Sequence, residues 1–281
     1  MKKLERRLTL PSVVAIAISA MLGAGIFVLP GLAVADSGAM LWLHYNLEKI
    51  SMGLVGAIIA VASVGGIVEI APLFTIEQTV EIPDDLRPHT PLELAGREIY
   101  IREGCYACHS QMVRSLADEL DRYGPYSLAS ESAWDHPMLW GSKRTGPDLA
   151  RVGGKYSDDW HVVHLTDPRA VVPVSIMPAY PWLMRSLDTG ILQDSLATLA
   201  QLCVPYDEGM VANALADARA QARPDGDGID GLLARYGDGI AVRSFDGDPS
   251  RLTEMDALVA YLQSLGRLTN AAYEQSTEAA Q

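Results

Sequence analysis

The chain has 281 residues and a formal net charge of −13, a length that allows one or two domains. Residues 75–281 hold 17 basic and 31 acidic side chains, a net charge of −14. A phosphate backbone would be repelled, so no nucleic acid is expected as a partner; an acidic face of this kind either steers a basic redox partner or is simply solvated.

The N-terminus opens with Lys2, Lys3, Arg6 and Arg7 against one acid, Glu5, and then Pro11 to Ala35 is uncharged and mostly apolar. That run is long for a signal-peptide core and long enough to span a bilayer, although Ala33-Val34-Ala35 before Asp36 has the form of a cleavage site. Gly23-Ala24-Gly25-Ile26-Phe27-Val28-Leu29-Pro30-Gly31 resembles the first transmembrane helix of amino-acid permeases. The resemblance covers about residues 8–43 only, and the other transporter helices are missing. Residues 1–43 are therefore read as an extra hydrophobic segment, an anchor or a fusion. The second apolar run, Met52 to Phe74, holds one acid, Glu69. As a helix it would be about 34 Å long, enough for roughly 30 Å of hydrocarbon. It is the expected membrane anchor, with Glu69 at the interface. Gly53, Gly56, Gly65 and Gly66 would let a partner helix come close.

A polar, proline-containing linker follows over residues 75–91. Pro91 to Tyr100 then predicts a helix: Thr90 is the N-cap, Pro91 suits the first turn, and Glu93 completes a capping box. This helix runs into Cys105-Tyr106-Ala107-Cys108-His109, which reads C-x-x-C-H, the attachment signature for a c-type haem. Two thiols at this spacing add to the two vinyl groups of one haem, and the adjacent imidazole reaches the iron. The competing readings are half of a zinc site and a Cys105–Cys108 disulfide. Zinc needs a second ligand pair, and Cys203 is the one cysteine left. At the other end, Thr253 to Gly266 predicts an amphipathic helix, capped by Thr253 and closed by Gly266, with Leu258, Tyr261, Leu262 and Leu265 on one face.

A motif-bearing helix paired with a terminal amphipathic helix resembles class I cytochromes c. The resemblance implies that the two helices cross, with Gly96 allowing close contact beside Tyr100. Haem iron held by His usually takes Met, His or nothing as its second ligand. Among Met112, Met138, Met177, Met184, Met210 and Met255, the choice falls on Met177. It lies in Ser175-Ile176-Met177-Pro178-Ala179-Tyr180-Pro181, a loop stiffened by prolines, whereas Met112 is too near Cys108 and Met255 lies within a helix. Gly146-Pro147-Asp148-Leu149 also resembles the cytochrome loop, which implies that the Pro147 carbonyl accepts the Nδ1–H of His109. Arg144 and Arg151 are expected at the haem propionates, and Trp140, Tyr156 and Trp160 at the porphyrin edge.

His44 to Phe74, Tyr100 to Gly104, His109 to Arg114, Arg122 to Gly124, Trp140 to Gly154 and Met177 to Leu183 resemble one subunit in particular, the monohaem cytochrome c subunit of cbb3-type cytochrome c oxidases. The likeness covers roughly residues 44–281 and is looser over 184–252, which is read as an insertion in a cytochrome c domain spanning 92–281. The expected fold is mostly α: one N-terminal transmembrane helix, or two, followed by a class I cytochrome c domain. The resemblance implies a non-catalytic electron-transfer subunit with one covalent haem c. Electrons would come from a dihaem cytochrome c subunit or a soluble cytochrome c and pass to the haem b of a catalytic haem–copper subunit. It also implies calcium at a subunit interface, with Ser142 as the matching position.

Family members sit in the bacterial inner membrane with the haem domain in the periplasm. The basic N-terminus fits the inner side and the acidic residues 75–90 the outer side. One crossing satisfies both, and two do not. Either one run stops short of spanning, or the N-terminus lies outside, or the natural chain begins later, for example at Met40. The alternatives in function are a monohaem cytochrome c of another complex, such as a nitric oxide reductase or a dehydrogenase, and an enzyme or sensor with an open iron site. Asp225 to Gly231 lacks the ligand pattern of a calcium loop and reads as an acidic turn. Cys203 is expected as a buried thiol within an amphipathic helix.

Overall fold

The computed structural model describes residues 51–71, 82–141 and 143–269. The permease-like segment, Pro72 to Phe74 and most of the linker lie outside these residues. The chain divides into two units, Met1–Thr79 and Val80–Gln281. In the first, helix α1 covers Ser51–Ile70. Among the described residues no helix is long and apolar enough to cross a membrane. The described side chains of α1 run unbroken only from Val55 to Ile70. Its apolar side chains, among them Val55, Ile58, Ile59, Val64 and Ile67, are exposed.

The second unit is helical, and its described residues form no strand beyond an isolated bridge between Ser186 and Thr253. In chain order its helices are α2 (Pro91–Arg102), α3 (Ala117–Tyr123), α4 (Asp158–Thr166), α5 (Pro168–Val171), α6 (Leu192–Gln201), α7 (Glu208–Ala212), α8 (Ala214–Gln221), α9 (Ile229–Tyr236) and α10 (Glu254–Ser264).

The frame is the crossing of α2 and α10. The Thr90 side chain accepts from the Glu93 N–H while the Glu93 carboxylate accepts from the Thr90 N–H, the reciprocal box that its sequence predicts. Thr253 and Asp256 build the same box on α10. Gly266, at φ +75°, takes the left-handed conformation just beyond that helix. Where the helices meet, Gly96 has no side chain to spare: a Cβ there would overlap the carbonyl oxygen of Ala257. The rings of Tyr100 and Tyr261 meet edge to face at 5.6 Å beside it. Arg102 clamps the end of the crossing with two hydrogen bonds to Glu254, of 3.0 and 2.6 Å.

Charges tie the start of this unit to α2. Arg87 donates two hydrogen bonds to Glu93, at 2.7 and 2.9 Å. His89 lies between Glu93 and Asp135, at 3.8 and 3.5 Å. Burial opposes a charge on that ring, but the two carboxylates prevail and raise its pKa.

Residues 184–252 do not stand apart. Leu192, Leu196, Ala214, Ala218, Leu232 and Phe245 join the same hydrophobic core as Leu92 and Leu258. Cys203 corrects one expectation. It is exposed and lies just beyond α6 at φ +65°, so it ends a helix instead of lining one. The stretch around Asp225 is a turn leading into α9, as its sequence implies.

Candidate functional site: a haem-sized cavity between the motif and the methionine loop

Helix α2 ends at Arg102, and Gly104, at φ +74°, turns the chain into a single 3-10 turn over Cys105–Ala107. The N–H groups of Cys108 and His109 both bond the Cys105 carbonyl, at 3.1 and 2.9 Å. This tight turn gathers both thiols and the imidazole at one place. All three cysteines are free in this structure. Burial pushes the Cys105 thiol up to about 12.

These residues open on a cavity of about 490 Å³, within the range of small-molecule and cofactor sites. Cys105, Cys108 and His109 line it, and so does Met177. None of the other candidate methionines does: Met255 is buried in α10, and Met138 is exposed. The loop carrying Met177 is fixed by its own Ser175, whose hydroxyl accepts from the Met177 N–H at 3.2 Å. It is also tied to α4 through a 2.8 Å bond from the Tyr180 N–H to the Leu165 carbonyl. Trp182 then donates to Glu103 at 3.2 Å, which fastens the loop beside the motif.

The His109 ring is held by the loop expected to hold it. Its Nδ1 lies 2.8 Å from the Pro147 carbonyl oxygen, which sets this nitrogen as the donor and leaves Nε2 free to bind a metal. Gly146 lies against the same ring; a Cβ there would overlap the imidazole. The loop is fixed in turn by the Gly146 N–H on the Cys108 carbonyl, at 2.9 Å, and by Asp148. That carboxylate accepts from Ser110 Oγ at 2.6 Å and from the N–H groups of Met112 and Ala150, each at 2.9 Å.

The remaining predicted residues divide into two groups. Tyr156 and Trp160 lie in the cavity wall, stacked at 4.0 Å. Arg144, Arg151 and Trp140 do not line it. Arg144 is held by Ser110, the Met112 carbonyl and Glu119, at 2.7, 2.8 and 2.8 Å. Arg151 is paired with Glu131, at 2.5 and 2.8 Å. Trp140 donates to Ser132 Oγ at 3.2 Å. All three stabilise the loops behind His109. Ser142, the position matched to calcium, lies outside the described residues. Among the described residues no group of three or more His, Cys, Asp and Glu is placed to hold a metal ion.

The wall also contains residues that the sequence did not place at the haem, His161 and His164 being read from it as structural histidines rather than haem-adjacent donors. Leu149, Val152, Leu165, Leu258 and Leu262 make it apolar, and His161 and His164 add two imidazoles from α4. A helical spacing of three places both on one side of α4, but only the fold shows that this side faces the motif.

These features fit a c-type haem. The cavity has the volume, the thiols and imidazole are gathered on one turn, and the single methionine in the wall lies on a braced loop. The sequence model of the family described as "Cytochrome C oxidase, mono-heme subunit/FixO" matches residues 44–269. Among curated proteins, none matches the chain. The chain belongs to the monohaem subunit family of cytochrome c oxidase. Membership implies one haem c and association with the other subunits of a cbb3-type oxidase at a membrane.

Proposed function

We propose that this protein is the membrane-anchored electron-transfer subunit of a cbb3-type oxidase, with a class I cytochrome c domain in the periplasm of a bacterial inner membrane. The observation that carries this reading is the cavity that Cys105, Cys108, His109 and Met177 line together. Cys105 and Cys108 would hold the haem through thioether bonds, and His109 Nε2 and Met177 Sδ would ligate its iron. The haem supplies a one-electron couple; the protein supplies its ligands, its orientation and a dry surround.

Each part of the chain has a task in that account. Pro147 keeps Nδ1–H of His109 engaged and strengthens the ligand opposite the hydrogen bond. The thioether of Met177 favours reduced iron and raises the potential. Leu149, Val152, Leu165, Leu258 and Leu262 exclude water. In this reading the subunit relays electrons to the haem b of the catalytic subunit, where oxygen is reduced. Donors would be the dihaem subunit or a soluble cytochrome c. Val174 and Ile176 line the cavity yet are 88% and 75% exposed, an apolar rim across which a partner can approach.

Anchoring is assigned to Met52–Phe74. It rests on the apolar run of the sequence, and the exposed apolar side chains of α1 call for lipid or a partner helix. The test of the ligand set is the optical spectrum of the oxidised holoprotein. The reading predicts low-spin iron with the charge-transfer band of thioether ligation, lost in Met177→Ala. A high-spin spectrum that binds carbon monoxide at once would sink it and favour a sensor or enzyme.

A further inference from the structure

Segments 108–112 and 146–150 run side by side and meet in the bond between His109 Nδ1 and the Pro147 carbonyl, at 2.8 Å. Backbone bonds join them on either side of it: the Gly146 N–H to the Cys108 carbonyl at 2.9 Å, and the Leu149 N–H to the Ser110 carbonyl at 2.8 Å. The side chain of Asp148 pins the same pair. It is fully buried. One oxygen reaches across to the other segment, accepting from Ser110 Oγ at 2.6 Å and from the Met112 N–H at 2.9 Å. The other accepts from the Ala150 N–H of its own loop at 2.9 Å.

A buried carboxylate stabilises a fold poorly, because leaving water costs it hydration that only well-placed donors offset. Arg144 lies 3.5 Å from Asp148 and holds Glu119 more closely, at 2.8 Å. The close donors to Asp148 come instead from the segment that follows His109 and the loop that follows Pro147. Its place in the chain explains why that matters. The Pro147 carbonyl and the Asp148 N–H belong to one planar peptide unit. The proline ring fixes φ on one side of this unit. The carbonyl therefore swings away from His109 only by turning about Pro147 ψ and Asp148 φ, and an Asp148 side chain anchored on Ser110 and Met112 opposes that turn.

We infer that Asp148 is a positioning residue for the haem ligand: it holds the Pro147 carbonyl on the Nδ1–H of His109 and so sets the donor strength of the imidazole and, through it, the reduction potential. A firmly held Nδ1–H makes the ring a stronger donor. A stronger donor favours oxidised iron, so Asp148 lowers the potential. The inference rests on the haem reading above and concerns a side chain that does not line the cavity.

The test compares the wild-type holoprotein with Asp148→Asn. The amide keeps the shape but turns one accepting oxygen into a donor, which then faces another donor. Two readouts are taken: the potential by redox titration, and solvent exchange of the His109 Nδ1 proton in ring-¹⁵N histidine spectra of the reduced protein. The expected results are a higher potential and an exchange at least about tenfold faster, the equivalent of one hydrogen bond to a charged group. Either readout unmoved overturns the proposal. An unmoved potential leaves Asp148 merely structural, and an unmoved proton leaves the lost charge to account for the potential. Should Asp148→Asn fail to hold haem, Ser110→Ala decides, since it keeps the carboxylate and removes one of its donors. Faster Nδ1 exchange there supports the positioning role, and unchanged exchange overturns it. Wild-type protein whose histidine spectra show no iron-bound ring would instead refute the haem reading itself, and this inference with it.

Discussion

The two sides of α10 are built on opposite terms. Toward α2 it packs without a gap: Gly96 touches the Ala257 backbone, and Tyr100 and Tyr261 close the contact. Toward the methionine loop it leaves about 490 Å³, and the wall there includes imidazole nitrogens with no partner. The first side is complete within the chain. The second becomes complete only when something else fills it. Interiors are packed to near crystal density, so a space of this size beside such a crossing is evidence for a resident group.

Substitutions separate the two sides. The largest effect is expected at Gly96→Val. Its new carbons would enter the Ala257 backbone, which cannot swing aside, at a cost of about 3 kcal/mol or more. Urea unfolding of the holoprotein should show the midpoint fall sharply, and an unchanged midpoint would mean the crossing is looser than described. Leu258→Ala comes next, since this residue joins the core and also lines the cavity. A loss of about 2–5 kcal/mol is expected for a buried leucine, with the upper end expected for the haem-bound protein, where the side chain also loses its contacts with the haem. Equal losses with and without haem would place Leu258 on the crossing side alone.

On the cavity side, Met177→Leu should lower the reduction potential by on the order of 0.1 V, because axial ligands set potentials over a range of about 0.8 V. Redox titration measures it, and an unchanged potential would remove Met177 from the iron. The smallest effect concerns pH. Hydrogen bonds from Arg144 and Arg114 hold the Glu119 carboxyl down at about 2, against 4.5 in a free chain. A depressed carboxylate stabilises above its unfolded pKa, and that share is lost as pH falls from about 4.5 through about 2. In acid denaturation, Glu119→Gln should flatten this part of the stability curve; a curve parallel to wild type would contradict the pairing.

What could be read in the sequence follows from how local each signal is. The Thr90 box, the turn through Cys105 and His109, the Pro147 carbonyl and the helix over 254–264 depend on residues a few positions apart or on one recurrent loop. The structure has the two capped helices where their residues predict them and brings the Pro147 carbonyl within 2.8 Å of His109 Nδ1. Arg144 and Arg151 were another matter. A guanidinium pairs with whatever carboxylate the fold brings near, and the structure supplies Glu119 and Glu131 from other loops. Histidines 161 and 164 read as structural rather than as haem-adjacent donors for the same reason, since nothing in their own segment shows which way α4 faces. Cys203 misled because amphipathic spacing continues past Gln201, while the backbone has already turned to positive φ.

The central claim is that Cys105 and Cys108 bind one haem covalently. It is tested most directly by a haem stain on a denaturing gel of membranes from cells that express the chain with the c-type maturation system. The account predicts a stained band at the mass of the chain, abolished in the Cys105→Ser, Cys108→Ser double variant. Folded, membrane-bound wild-type protein without stain would contradict it.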